Sequence, residues 1–223
     1  MAGPASPPSK RRLLAEIRAG GVTDSRVLAA LRRVPREQFV PPHLRSRAYA
    51  NTALPIALDQ TISQPIVVAQ MVQAAAIKPT DHVLEIGCGS GYGAAVLAEL
   101  AGDVVSIEIR EDLAVAAAER LRRTGYANVQ VIVGDGSLGW RPLAPYDAIL
   151  VTAAAPALPP SLVAELAENG GRLVAPIGSL KEQHLVVAER HGDTIQSRIL
   201  FGVRFVPLVG AAGFDVPDDS RRN

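Results

Sequence analysis

Val83-Leu84-Glu85-Ile86-Gly87-Cys88-Gly89-Ser90-Gly91-Tyr92 is the stretch whose reading decides the fold. A short, mostly apolar run enters three glycines at alternate positions, and Tyr92 to Leu100 follows with helical spacing. A strand turning sharply into a helix is the opening unit of a parallel α/β sheet. The alternation continues downstream. Val104 to Ile107, Val129 to Val133, Ala148 to Val151 and Arg172 to Ala175 read as strands. Asp112 to Arg123, stopped at Gly125, and Ser161 to Leu166 read as helices. His184 to Glu189 and Thr194 to Val203 flank His191-Gly192-Asp193 and predict a closing antiparallel hairpin. The expected fold class is therefore α/β: a doubly wound, Rossmann-like, mainly parallel sheet with a C-terminal antiparallel hairpin.

Upstream of the turn the pattern is helical. Leu13, Leu14 and Ile17 form one stripe, and Val27, Leu28, Leu31 and Val34 a second. Gly20-Gly21 separates them, and Thr23 or Asp24 is suited to cap the second helix. Pro35, Pro41 and Pro42 break the pattern, residues 48–65 read as irregular, and Val67 to Ala76 as an apolar helix. The expected layout is a disordered tail over 1–10, an N-terminal helical segment with the active-site loop over 11–78, the Rossmann-like unit over 79–210 and a C-terminal tail over 211–223. All of it belongs to one structural domain, in a chain of 223 residues.

Composition narrows the function classes. The net charge is +1, so no global field recruits nucleic acid or membrane. Residues 1–47 carry ten Lys and Arg against three acids, which reads as the solvated face of N-terminal helices. A nucleic-acid patch would interleave aromatics, and that stretch has Phe39 alone. Cys88 is the single cysteine, which excludes an intrachain disulfide and points to a reducing, cytoplasmic compartment. No apolar run is long enough to span a bilayer, and Met1 to Arg12 lacks the apolar core of a signal peptide. His43, His82, His184 and His191 show no metal-ligand spacing, so no metal is expected. A monomer is expected.

Ligands of a doubly wound sheet bind beyond the carboxyl ends of its strands. Alternating glycines there let the backbone turn tightly and approach a ligand. The spacing alone does not name the cofactor, because Gly89-x-Gly91-x-x-Ala94 also satisfies a dinucleotide pattern. Glu108 ends the second strand about twenty residues on, where a carboxylate can accept both ribose hydroxyls. Asp135, within Gly134-Asp135-Gly136, is placed to accept the exocyclic amine of adenine. Glu85 favours S-adenosyl-L-methionine. A buried acid needs partners, and this cofactor brings a sulfonium and an ammonium where a dinucleotide would bring a pyrophosphate.

Leu84 to Tyr92, Val133-Gly134-Asp135-Gly136, Val151-Thr152-Ala153-Ala154-Ala155-Pro156 and Val203-Arg204-Phe205-Val206-Pro207-Leu208 together resemble the protein-L-isoaspartate O-methyltransferase family. So do Gln60-Thr61-Ile62-Ser63-Gln64-Pro65 and Val34-Pro35-Arg36-Glu37-Gln38-Phe39-Val40-Pro41. The resemblance covers about residues 25–210 in the family's order. It implies methyl transfer from S-adenosyl-L-methionine to the free carboxylate of L-isoaspartyl and D-aspartyl residues in damaged proteins, leaving S-adenosyl-L-homocysteine. The methyl ester then closes spontaneously to a succinimide, whose hydrolysis returns some normal aspartyl bonds. Isoaspartyl proteins and peptides are the implied partners.

By position, the resemblance makes Ser63 the active-site serine. It assigns Glu85, Gly87, Cys88, Gly89, Ser90, Gly91, Glu108, Asp135 and Gly136 to the cofactor, and Thr61, Ile62, Arg204 and Phe205 to the substrate. A carboxylate is already a nucleophile at neutral pH, so Ser63 is read as a hydrogen-bond donor that orients it, without a general base. Family members commonly carry Gly-x-Gly-Gln-Thr-Ile-Ser, whereas Leu58-Asp59-Gln60 stands here in place of the glycines. An added carboxylate beside a carboxylate site repels its substrate. That departure leaves two other readings open: a methyltransferase of the same fold acting on another carboxylate, such as aspartate in a peptide natural product, or non-catalytic recognition of modified chains.

Overall fold

The computed structural model describes residues 8–215. Among the described residues the strands are β1 (Leu54–Pro55), β2 (Thr61–Ile62), β3 (His82–Ile86), β4 (Asp103–Glu108), β5 (Val129–Val133), β6 (Ala148–Val151), β7 (Asn169–Gly178), β8 (Gln183–His191) and β9 (Thr194–Val203). Six α-helices are α1 (Lys10–Ala19), α2 (Ser25–Arg33), α3 (Pro65–Ala75), α4 (Tyr92–Ala98), α5 (Glu111–Arg123) and α6 (Pro160–Ala164). Seven strands form one sheet in the order β5-β4-β3-β6-β7-β8-β9. The pairs from β5 to β7 are parallel, and β8 and β9 close the sheet antiparallel. The expected α/β sheet with its C-terminal hairpin is the one found.

From β3 the chain runs outward to β4 and β5, then returns to the other side for β6 and β7. The order therefore reverses between β3 and β6, which opens a crevice at their carboxyl ends. Side chains alternate across these central strands. Val83, Val104 and Leu150 join the core under α1 to α4, while Leu84, Ile86, Ile107 and Val151 join the opposite core. Both faces are covered, which explains why the strands read as nearly continuous apolar runs.

Several boundaries differ from the sequence reading for identifiable reasons. α6 stops at Ala164 because the next residues bond to the chain entering β6 instead: Tyr146 N donates to the Glu165 carbonyl and Ala167 N to the Tyr146 carbonyl, both at 2.8 Å. Asp24 caps α2, its Oδ1 accepting from Arg26 N at 2.8 Å, while Thr23 N donates to Gln73. The irregular stretch 48–65 holds a small hairpin, β1 against β2. Its turn places Leu58 and Asp59 at φ 55°, a left-handed conformation normally signalled by Gly or Asn. Of the expected tails, residues 1–7 and 216–223 lie outside the described residues. Ser9 caps α1, and Ala211 and Ala212 are bonded to the body of the protein.

The basic N-terminal stretch is not uniformly solvated. Arg26 and Arg33 pair with Asp24 and Glu99, but Arg36 is 1% exposed. Pro35 precedes the short 3-10 turn Arg36–Gln38, which turns this side chain inward beside Phe39.

Candidate active site

The glycine turn joins β3 to α4. Gly87, Gly89 and Gly91 have φ of 93°, 54° and 86°, values that side chains oppose. Gly87 N donates to the Ile107 carbonyl at 2.8 Å, so the turn is built onto β4. Gly87 also leaves room for Thr152 at the end of β6. Thr152 Oγ1 donates toward the carbonyls of Ile86 (3.0 Å) and Gly87 (2.7 Å), and a Cβ on Gly87 would overlap it. Gly91 packs against α5, where a Cβ would meet Leu121 at 3.3 Å. The Arg120 guanidinium donates to the Ser90 carbonyl at 2.6 Å and holds the turn from the helix side.

Two acids stand behind this turn. Glu108 Oε2 accepts from Gly89 N at 2.7 Å and its Oε1 from Arg110 N at 3.1 Å. Glu85 is 1% exposed, and its Oε2 accepts from the Ser106 hydroxyl at 2.5 Å. Gly93 lets α4 approach it, since a Cβ there would overlap Glu85 Oε1. Burial pushes the Glu85 carboxyl up to about 8; the Ser106 hydrogen bond opposes the rise and the Glu108 charge adds to it. Burial also raises the neighbouring Cys88 thiol far above its usual value, which leaves it an inert protonated side chain.

These residues line a cavity of about 910 Å³ at the carboxyl ends of β3 and β4. Glu85, Gly87, Cys88, Gly89, Ser90, Glu108 and Gly136 of the expected cofactor set face it, and so do Thr61, Ile62 and Ser63. Gly136 fits because a Cβ there would sit 2.7 Å from Ile86 Cγ2. Gly91 and Asp135 do not line the cavity. Asp135 Oδ1 accepts from Ser137 N and Oγ, and Oδ2 from Ala211 N at 2.8 Å. Its carboxylate thus ties down the 210–212 segment that follows the lining residues Leu208 and Val209.

A second depression, of about 830 Å³, holds Arg204 and Phe205 together with Lys181, Glu182 and His184. Thr61, Ser63, Thr152 and Val206 belong to both spaces and form the wall between them. Ser63 reaches that wall from the end of β2, just before α3, and among the described residues its hydroxyl makes no intramolecular hydrogen bond. The sequence reading gave no role to Thr152 or to the Ile109–Asp112 rim. Position was the available signal: both follow the carboxyl ends of strands that neighbour the glycine-turn strand. Among the described residues no cluster of three His, Cys, Asp or Glu is placed to hold a metal.

The fit to S-adenosyl-L-methionine rests on this donor set. A Cβ at Gly87 would displace Thr152 from the cradle wall, the Glu108 carboxylate suits a diol, and the buried acid Glu85 suits a cationic ligand.

Comparison with known proteins agrees. The family model described as Protein-L-isoaspartate(D-aspartate) O-methyltransferase matches residues 8–213. The protein-L-isoaspartate O-methyltransferase of Herpetosiphon aurantiacus is 49% identical over 200 residues, 90% of this chain and 89% of that protein. The enzyme of that name from Rhodopseudomonas palustris is 50% identical over 209 residues, 93% and 95% of the two chains. A solved protein-L-isoaspartate O-methyltransferase superposes with a TM-score of 0.80 at 28% identity, over 92% of this chain and 67% of that one. A putative protein-L-isoaspartate O-methyltransferase from Plasmodium falciparum, in complex with S-adenosyl-L-homocysteine, gives 0.78 at 27% identity over 90% and 98%. The chain belongs to the protein-L-isoaspartate (D-aspartate) O-methyltransferase family.

Proposed function

We infer that the chain is an S-adenosyl-L-methionine-dependent protein carboxyl O-methyltransferase that acts on L-isoaspartyl and D-aspartyl residues of damaged proteins. The observation that carries this is the shared wall: Ser63 borders both the glycine-turn cavity and the groove containing Arg204 and Phe205. Gly87 to Ser90, Glu108 and Gly136 hold the cofactor in this reading, and Glu85 faces its cationic end. When bound, S-adenosyl-L-methionine supplies a sulfonium methyl group that a carboxylate attacks without a general base. Ser63 donates to one oxygen of the isoaspartyl carboxylate and leaves the other in line with that methyl. Thr61 and Ile62 line the approach, and Arg204-Phe205 walls the peptide. Asp135 acts indirectly, by fixing the 210–212 segment that follows Leu208 and Val209 of the cavity wall. The single, deeply buried thiol of Cys88 suits the reducing cytoplasm. Among the described residues no helix is long and apolar enough to cross a membrane.

Labelled S-adenosyl-L-methionine with paired isoaspartyl and aspartyl peptides tests the reaction. Label on the isoaspartyl peptide alone is expected; equal labelling of both, or none, overturns the assignment.

Glu85 gives the site a pH signature. A carboxyl raised in the fold binds more protons than in the unfolded chain, so its contribution to stability is lost as pH rises from the ordinary carboxylate range toward about 8. A cationic ligand favours the ionised form. At pH 7, cofactor binding is therefore expected to release close to one proton, by calorimetry in buffers of different ionisation enthalpy. Glu85→Gln should abolish that release, and an unchanged proton count in the variant would rule out Glu85 as its source.

Asp59 lines the cavity next to Gln60 and Thr61, on an exposed hairpin tip. Asp59→Gly removes a like charge from the carboxylate's approach and relieves a left-handed residue. The expected result is a KM for isoaspartyl peptide lowered about 3-fold at low salt, with the difference shrinking as salt screens the exposed charge. Stability should rise by about 1 kcal/mol, the cost of a side chain in that conformation. A KM that rises in Asp59→Gly would mean the carboxylate assists binding.

A further inference from the structure

Among the described residues Arg36 is the one fully buried cation of the basic N-terminal stretch, and the reaction as described makes no use of it. Its Nε donates to the Ala48 carbonyl and its Nη2 to the Ser63 carbonyl, each at 2.9 Å. Its guanidinium lies 4.6 Å over the ring of Tyr92, and Phe39 meets the same ring edge-on at 5.8 Å. Tyr92 opens α4 immediately after the glycine turn, and its backbone N donates to Ser90 Oγ. Tyr92 and Ser63 both line the cofactor cavity. One guanidinium thus touches the substrate loop by hydrogen bonding and the cofactor turn by stacking.

Stability does not account for this placement. Among the described residues Arg36 has no carboxylate within ion-pair distance, and its Nη1 has no hydrogen-bond partner. A buried charge without a counter-ion is costly, and burial holds this guanidinium below its usual basicity. What the planar fork supplies is geometry: two fixed donors and a flat face, a combination that a compact ammonium cannot reproduce.

We propose that Arg36 is a positioning residue that fixes Ser63 relative to the glycine turn, so that the serine hydroxyl and the cofactor methyl are held in one register. The N-terminal segment then sets the distance between the two halves of the site while touching neither ligand. The proposal rests on the reading of Ser63 as the group that orients the carboxylate.

A double-mutant cycle on the full chain tests it. Arg36→Lys is expected to lower kcat about tenfold, as a small misplacement of a reacting group does, while the Kd for S-adenosyl-L-methionine stays within about 2-fold. In the Ser63→Ala background the same replacement should change kcat less than about 2-fold, because the group it positions is gone. An equal loss in both backgrounds would show a merely structural role and overturn the proposal, as would a normal kcat in Arg36→Lys alone. Arg36→Gln, which keeps one donor and drops the charge, runs the same cycle if the lysine variant does not fold. Ser63→Ala at full rate would instead overturn the reading of Ser63, whatever Arg36 does, so the two failures are distinguishable.

Discussion

Ser63→Ala is expected to lower kcat/KM for isoaspartyl peptide about 10- to 100-fold while leaving the Kd for S-adenosyl-L-methionine within about 2-fold, the result of losing one charge-assisted hydrogen bond worth ~1.5–3 kcal/mol. The loss should fall partly on kcat. Negative charge leaves the carboxylate as it attacks, so a donor that only bound the carboxylate would weaken toward the transition state. A donor that holds the non-attacking oxygen aims the other one, and its removal spreads the attacking oxygen over unproductive directions. The fold should not register the change, because the Ser63 hydroxyl satisfies no other group among the described residues while its carbonyl stays bonded to Arg36. Steady-state kinetics on one isoaspartyl peptide, with cofactor titration and a melting curve on the same samples, checks all three parts. Ser63→Cys keeps the size but offers a weak donor, and should not restore the rate. A Ser63→Ala enzyme with unchanged kcat/KM would remove Ser63 from the mechanism.

How much of this site was legible in the sequence follows from how local each constraint is. The glycine turn was readable because a positive φ is a property of one residue, and Gly87, Gly89 and Gly91 all adopt it. Glu108 was readable because strand and turn fix where the next strand's end must lie, and Glu85 because it is an acid inside an otherwise apolar strand. The hairpin at 54–62 was not, since Leu58 adopts a left-handed turn conformation that its residue type disfavours and so carries no turn signal. Arg36 was misread with its neighbours as solvated. Its burial depends on Phe39, Ala48, Ser63 and Tyr92 converging from four places in the chain. Asp135 follows β5 as its spacing implies, but its carboxylate is turned away from the cavity by a segment that arrives 76 residues later, and a spacing rule does not see it.

Gly87→Ala should weaken S-adenosyl-L-methionine binding by about 30- to 100-fold. Two penalties meet at this residue. A side chain at φ 93° costs ~1–2 kcal/mol. The new Cβ also overlaps Thr152 Oγ1, whose single hydroxyl proton is shared between the carbonyls of Ile86 and Gly87, and displacing it gives up that one hydrogen bond, worth ~1 kcal/mol. The turn can escape both penalties only by moving, and it carries Gly89 N, the donor to Glu108, with it. Gly21→Ala separates the two effects. Gly21 has nearly the same φ, 94°, but nothing within 4 Å of its Cβ position, so that variant should lose stability and keep cofactor affinity. Gly87→Ala combined with Thr152→Ala removes the overlap and leaves the conformational penalty, so it should recover part of the affinity. Isothermal titration of the four proteins, wild type included, with S-adenosyl-L-homocysteine reads the series. If Gly87→Ala bound as tightly as wild type, the close approach of β3 to the end of β6 would have no part in shaping the cofactor cradle. If instead Gly21→Ala lost affinity to the same degree, the effect would belong to general destabilisation and not to the turn.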